Sequence, residues 1–536
     1  MISTSIRTRE VHRWWALAAL CLAELLVMID NTIVNVALPT ISRDLSAGIS
    51  GLQWVVDAYT LVFAGLLLTG GYIGDRFGRR RALVVGIVGF ASVSVVAATS
   101  TGLSALIAAR AGLGVFAALV FPATLALVTH IFTDPRGRAA AVGIWSATAG
   151  VAVAIGPVLG GWLLEHYSWS SVFWINVPIG VGVMAIVLLV VPSPTPEQVG
   201  KLDVLGVLLS IVGLSLLTYS VIEGPHHGWG DYRTVGGLIL SLVVLGLFVR
   251  REARIEFPIL DVTLFMNRRF AAASGMIAVA FFALMGFIFL ITQYFQAVQG
   301  YGALEAGLRT LPFAVVMAAL SPVAMVVAKT FGAGRVAAVG SALMTAGFAV
   351  VEFSTRESSY WGLIVWSMSL MAAGLAMIAG PCTQIIMDSL TPAQAGAGSA
   401  VNDTTRELGG TLGVAVLGSI LTSAYTAAVA GKLADVPMPA DAKNAATESV
   451  MAGVEVAARA PETMRGALTT AIQDTFVTGL HNAVYAAISI TALGAVIGWF
   501  MLRDKGVESP NGTHDSAAVE GDSDGALSDA EVVGRS

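Results

Sequence analysis

Gly71-Tyr72-Ile73-Gly74-Asp75-Arg76-Phe77-Gly78-Arg79-Arg80-Arg81 breaks a chain that is apolar on both sides of it. The stretch is too polar and too rich in glycine to face lipid. It joins the apolar runs Leu52–Ile73 and Leu83–Thr99, each long enough at about 1.5 Å per residue to cross most or all of a hydrocarbon core of roughly 30 Å. Glycine permits a tight reversal, Asp75 can cap the next helix or pair across the domain, and the arginines anchor the turn in the cytoplasm. The local reading is two membrane-spanning helices joined by a short basic turn.

Working outward, the same grammar repeats along the whole chain. Of 536 residues 56% are hydrophobic and 12% charged, with a mean hydropathy of +0.79, a composition that excludes the soluble globular classes. Apolar runs of span length recur from Trp14–Val36 to Ala483–Leu502, about fourteen by the twenty-residue rule. Lys and Arg collect in alternate connections: Arg7, Arg9 and Arg13, then Arg76 to Arg81, Arg136 and Arg138, Lys201, Arg250 to Arg254, Arg268 and Arg269, Lys329, Arg335 and Arg406. That bias places both termini in the cytoplasm and makes the number of spans even. No small-residue cleavage site follows the first span, so it is read as a permanent helix.

The net charge of −5 comes from the acidic tail, 503–536, which reads as solvated and disordered. Cys21 and Cys382 lie inside apolar runs and suggest no disulfide, and the seven His show no metal-ligand spacing. One long outer segment, 431–481, is Pro-rich at first and then repeats apolar residues at helical spacing, as an amphipathic outer hairpin and structural cap would.

Charge inside the apolar runs carries the chemistry. Asp30 lies in Met28-Ile29-Asp30-Asn31-Thr32-Ile33-Val34-Asn35-Val36-Ala37-Leu38-Pro39, and a charge at bilayer depth costs roughly 2.5–3.5 kcal/mol on insertion scales, so a chain that keeps one uses it. Glu24 and Asp57 are also at membrane depth, while Glu223, Asp388, Asp403 and Glu407 are nearer span ends. Glu24 and Asp30 differ by about 120° around the helix and must face different neighbours. Arg110 is the buried cation and demands a carboxylate, carbonyls or water. Asp388 and Asp403 read as caps, and Glu407 as an interfacial ion pair beside Arg406 or a functional acid. Trp54, Tyr59, Trp145, Phe281, Phe282, Tyr294 and Phe295 are candidates for an aromatic, cation-holding cavity.

The Gly71–Arg81 turn resembles the Gly-x-x-x-Asp-Arg-x-Gly-Arg-Arg signature of the major facilitator superfamily, in which Gly71, Asp75, Arg76, Gly78 and Arg79 stand at the motif positions. Arg110-Ala111-Gly112-Leu113-Gly114 is similar to the family's Arg-x-x-x-Gly motif, linked to proton coupling, although Leu113 and Phe116 stand where Gln and Gly are common. Gly156-Pro157-Val158-Leu159-Gly160-Gly161 resembles the antiporter motif of the exporting branches. The Asp30 segment, Phe173-Trp174-Ile175-Asn176 and Leu408-Gly409-Gly410 resemble the fourteen-span drug:proton antiporters, and an acidic Asp57 resembles the quaternary-ammonium exporters.

What the resemblance implies is an all-α integral membrane protein of the major facilitator fold, with two six-helix bundles and two extra helices. Residues 1–13 would be the cytoplasmic N-terminus, 14–191 the first bundle, 202–249 the extra pair and 271–502 the second bundle. Lys329-Thr330-Phe331-Gly332-Ala333-Gly334-Arg335 occupies the place of a degenerate second copy of the Asp75 turn.

The implied function is proton-driven efflux of amphipathic, cationic drugs across the cytoplasmic membrane by alternating access. Asp30, Asp57, Arg110 and Glu24 would couple protons; Asp30, Asp57, Trp54, Tyr59, Phe281 and Tyr294 would bind substrate; Gly156, Pro157, Gly160 and Gly161 would serve the conformational change. Desolvation favours a protonated carboxyl and an entering cation favours its ionised form, so the two compete for one charge. No cofactor beyond the proton gradient, no metal and no nucleic acid is expected, and the chain would work as a monomer among membrane lipids. Export of a lipid or an endogenous secondary metabolite is the alternative on the same scaffold. An enzyme or an ATP-driven pump is disfavoured, since the sequence shows no nucleophile–base set and no phosphate loop.

Overall fold

The computed structural model describes residues 2–193, 203–256, 258, 260–390 and 395–502. The acidic tail, 503–536, lies outside the described residues, as does the 194–202 connection in which the expected boundary of the extra pair falls. The first half comprises α1 (Ile2–Asp44), α2 (Ile49–Phe77), α3 (Arg79–Ala98), α4 (Leu103–Ile131), α5 (Pro135–His166), the short α6 (Ser171–Trp174) and α7 (Asn176–Val190). Next come α8 (Val204–His227) and α9 (Tyr232–Glu252). The second half holds α10 (Arg268–Gln293), the short α11 (Ala303–Arg309), α12 (Leu311–Phe331), α13 (Ala333–Val351), α14 (Val365–Asp388) and α15 (Ala395–Leu433). It closes with α16 (Ala440–Glu448), α17 (Val450–Arg459) and α18 (Glu462–Met501).

Thirteen of the described helical stretches are long and apolar enough to span a bilayer. Helix α5, 32 residues long with an apolar part over Val151–His166, completes the series of fourteen expected from hydropathy. Within the first half α2 and α3 pack on α4, and α1 packs on α5 and α7. Within the second, α10 packs on α15, and α13 on α14 and α18. Helices α8 and α9 pair with each other, and α8 also touches α2 and α15, so the extra pair sits beside the seam between the halves. Large side chains such as Leu189, Leu242 and Val326 are exposed on outer faces, the pattern of a protein whose solvent there is lipid.

The turns explain where helices stop. Gly78 (φ +106°) separates α2 from α3, and Gly332 (φ +89°) separates α12 from α13. Both backbones lie where an L side chain is disfavoured. The identical device at matching places in the two halves is the physical content of the degenerate repeat around Lys329–Arg335. Asp134 caps α5 by accepting from the Gly137 amide at 2.6 Å, and its carboxylate is paired with Arg13 at 3.0 Å, tying α5 to α1.

The outer segment differs in part from the hydropathy reading. Helices α16 and α17 form the expected helical pieces, but Glu462–Leu480 belongs to α18, a continuous helix of 40 residues. Ser449, which caps α17, meets Ser42 at the end of α1 through a 2.7 Å hydroxyl–hydroxyl contact, and Tyr425 of α15 donates to the Ala446 carbonyl at 2.8 Å. The segment is thus seated on both halves.

Candidate functional site

Asp30 is completely buried, midway along the spanning part of α1, and its partner is Arg110 of α4, equally buried. Arg110 Nη1 donates to Asp30 Oδ2 at 2.5 Å, and its Nε donates to the Val55 carbonyl of α2 at 2.9 Å. The guanidinium lies 4.3 Å from the centroid of the Tyr59 ring, while the Tyr59 hydroxyl donates to the Val27 carbonyl of α1 at 3.3 Å. Asn176, at the start of α7, gives its amide to Asp30 Oδ1 at 2.7 Å and to Ser94 of α3 at 3.2 Å. Five helices therefore meet in the Asp30–Arg110–Asn176 network, and each of the two carboxylate oxygens accepts a hydrogen bond. Arg110 Nη2 keeps no partner among the described residues.

Asn176 was missed as a site residue. It lies in the Phe173–Asn176 segment that carries the resemblance, and the available signal was a fully polar side chain opening an apolar helix.

Asp57 does not join Asp30. It is fully buried on the α2 face defined by Gln53, Asp57 and Thr60, and that face packs on α15. Gln53 donates to the Val414 and Ala415 carbonyls at 3.1 and 2.9 Å, and Thr411 bonds Thr60 at 2.9 Å. Between these contacts neither Asp57 oxygen has a hydrogen-bond partner among the described residues. Asp30 and Asp57, expected to serve proton and substrate together, do not form one site, because their side chains project to different neighbours. Glu24 is buried and accepts from the Thr148 hydroxyl of α5, whereas Arg110 is paired with Asp30.

The aromatic candidates scatter. Tyr59 is a wall of the Arg110 site, and Trp54 turns to α8, donating to Glu223 at 3.2 Å with its ring against Tyr219. Tyr294 is buried in a network that donates to the Thr355 carbonyl at 2.6 Å and accepts from Gln299 at 2.8 Å. None of these three lines a described cavity. Phe281 lies 5.3 Å beneath the Arg406 guanidinium.

A cavity of about 690 Å³ opens on the end of the molecule that bears the signature turn, lined by Asp75, Arg79, Phe121, Trp145, Asp403 and Arg406 among others. Asp403 and Arg406 sit 4.0 Å apart on α15. Asp403 is therefore not a cap: α15 begins at Ala395, well before it. Nor is Glu407 the ion-pair partner of Arg406. Asp388, read as a cap, is instead the exposed last residue of α14 and makes no capping hydrogen bond among the described residues. In the turn itself Arg79 Nε holds Asp75 at 2.7 Å across Gly78, and Arg80 reaches the Leu188 carbonyl of α7 at 2.5 Å.

Towards the opposite end, the glycines of α5 bring it into close contact with α1 and α11. A Cβ on Gly156 would come within 2.0 Å of Thr32 Oγ1, and one on Gly160 within 2.6 Å of the Ile33 side chain, so α1 and α5 pack almost backbone to backbone. Gly161 meets Leu304 of α11 in the other half, and Gly307 of α11 meets the Pro157 carbonyl, each with room for hydrogen alone. The departure at Phe116 is compensated locally, since its ring fills the space over Gly89 of α3, where a Cβ would approach it to 2.2 Å.

Residues 20–430 match the Major Facilitator Superfamily. The chain belongs to that superfamily. It is 36% identical over 499 residues to the multidrug efflux pump LfrA of Mycolicibacterium smegmatis, covering 92% of this chain and 98% of that protein. It is 34% identical, over the same shares, to the methyl viologen resistance protein SmvA of Salmonella typhimurium. Among solved structures, a bacterial homologue of the lysosomal transporter Spinster in an inward-facing, unoccupied conformation superposes with a TM-score of 0.62 at 18% identity. That match covers 92% of this chain and 99% of the other. This major facilitator protein is a multi-pass membrane transporter and not an enzyme.

Proposed function

We propose that the protein exports amphipathic, cationic drugs from the cytoplasm in exchange for protons, by alternating access, with both termini in the cytoplasm. The observation that carries the reading is the fully buried Asp30–Arg110 pair. A carboxylate that accepts from both Arg110 and Asn176 loses one of those bonds when it takes a proton, so protonation loosens a joint on which five helices meet. Asp57, buried in the seam between the halves without a donor, is an unfavourable group that a proton or a cation would relieve. Methyl viologen, named for the relative SmvA, is a dication, and the cavity with Phe121 and Trp145 offers aromatic faces to such a compound.

On this reading the signature-turn end faces the cytoplasm and the structure is open inward, with the α5–α11 seam closed outside. Inward-running protons drive the cycle with no bound cofactor. The test is dye efflux from energised vesicles. Asp57→Asn is expected to abolish export of cationic dyes more than of neutral drugs, Asp30→Asn to abolish both, and a protonophore to collapse efflux by the wild type. Wild-type efflux by both variants, or efflux indifferent to the protonophore, overturns the proposal.

A further inference from the structure

The extra pair carries a feature that the transport site does not use. At the signature-turn end of α9 a hollow of about 430 Å³ is lined by Leu247, Arg250, Arg251, Arg254 and Ile255. The charge of Arg251 is already matched: its Nε and Nη2 donate to Asp203, at the head of α8, at distances of 2.6–3.0 Å. Glu252 is turned inward, buried, and accepts from the Leu260 amide at 2.9 Å. Arg250 and Arg254 are exposed, and their side chains make no hydrogen bond or ion pair among the described residues. Leu240, Val243 and Leu247 precede them at helical spacing, and all three are exposed on α9. One stripe therefore runs from apolar side chains at membrane depth to two free guanidiniums at the interface. Retention of arginine on one side of the membrane accounts for its presence at this end, but not for its convergence on a hollow that continues an apolar stripe.

We propose that this hollow binds the headgroup of an anionic phospholipid, its phosphate held by Arg250 and Arg254 and its acyl chains laid along Leu240, Val243 and Leu247. Guanidinium suits a phosphodiester because it offers paired donors in a plane. A polybasic site beside a lipid-exposed helix adds electrostatic attraction to acyl-chain contact, which a free anion cannot use. The bound lipid would steady α9, whose packing in the protein is against α8.

The test uses the full chain purified in detergent, with phosphatidylglycerol, phosphatidylcholine and inorganic phosphate as probes in native mass spectrometry. Wild type and Arg335→Gln, a change at an exposed arginine of another turn, should retain phosphatidylglycerol equally. Arg250→Gln with Arg254→Gln should weaken retention about thirtyfold, each side chain being worth about fivefold. Phosphatidylcholine should not be retained and inorganic phosphate should not displace the lipid. Should the double variant melt lower without lipid, Arg254→Gln alone is read instead, with a fall of about fivefold. Undiminished retention by these variants, equal retention of phosphatidylcholine, or displacement by inorganic phosphate refutes the proposal, the last by making the hollow a free-anion site.

Discussion

Asp30→Asn is the most informative single change. The carboxylate has two acceptors and both are used, Oδ2 by Arg110 at 2.5 Å and Oδ1 by the Asn176 amide at 2.7 Å. An asparagine has one acceptor and one donor, so either Arg110 or Asn176 then faces another donor. Worse, Arg110 keeps its charge with no counter-ion in a site that is completely buried. Breaking a buried pair in this way costs about 3–5 kcal/mol, whereas replacing both members by apolar groups is often neutral or better. Asp30→Asn with Arg110→Met should therefore be more stable than Asp30→Asn alone, by about 1–3 kcal/mol once the Val55 carbonyl that loses the Arg110 donor is counted. Differential scanning fluorimetry of the two single variants and the double in one detergent reads this as a cycle, and dye efflux from vesicles is measured alongside. Melting should fall in the single and recover in the double, while transport stays lost in both. A single variant as stable as wild type, or a double variant that is the sum of the singles, would show that the two charges are not coupled and would remove the basis for the proton site.

Three further outcomes follow from the geometry. Gly161→Ala places a Cβ 2.4 Å from Leu304 Cα and 2.6 Å from the Ala303 carbonyl, both backbone atoms that cannot swing away. At about 1–3 kcal/mol for overpacking, spin labels across the α5–α11 seam should move apart and efflux should fall; an unchanged distance distribution contradicts the sealing role. Ala126→Cys, made with Cys21→Ser and Cys382→Ala, places a thiol in the cavity wall. A membrane-impermeant maleimide should label it in everted but not in right-side-out vesicles, and the reverse pattern would invert the proposed topology. Asp203 is held below the ordinary carboxylate range, first by its hydrogen bonds from Arg251 and then by the backbone amides of α8. Its contribution to stability is present above the unfolded-state value and is lost only as pH falls through the depressed folded one. The melting difference between wild type and Asp203→Asn should therefore hold from neutral pH to about 4 and shrink below that, and a difference that vanishes near pH 6 would refute the pairing.

Hydropathy made the fold legible because each span has to satisfy its own backbone inside lipid, and twenty apolar residues record that need locally. The partner of Asp30 was half legible: Arg110 was the buried cation available, whereas Asn176 looked like an ordinary part of its segment. From the sequence alone Asp57 joins Asp30 as a candidate proton and substrate carboxylate. Its true surroundings depend on which face α2 turns to α15, more than 350 residues further along the chain, and no local pattern records that. The cavity acids were misread for a related reason. From the sequence Asp403 reads as a cap because the apolar run begins at Leu408, but the helix itself begins at Ala395. Aromatic residues were the least legible, since Trp54, Tyr59 and Tyr294 serve packing and hydrogen bonding as readily as they could serve a substrate.

The two halves of the mechanism meet on α1. Thr32 is two residues beyond Asp30, and its hydroxyl lies 3.2 Å from the Ala152 carbonyl of α5, directly where a Cβ on Gly156 would fall. Ile33, on the next position, fills the space over Gly160. If α1 moves when Arg110 is released from Asp30, as the proposed function requires, the contact of Thr32 and Ile33 with Gly156 and Gly160 leaves α5 little room to stay in place. The movement would then reach Pro157 and Gly161, which touch α11 of the other half. Thr32→Ala tests this linkage. It removes the hydroxyl and opens the α1–α5 contact without touching the ion pair, so Asp30–Arg110 stability should persist while proton-driven opening of the α5–α11 seam weakens. If seam opening in Thr32→Ala tracks the proton gradient as it does in wild type, the glycine contact is packing alone and the coupling runs through other helices that meet at Asp30.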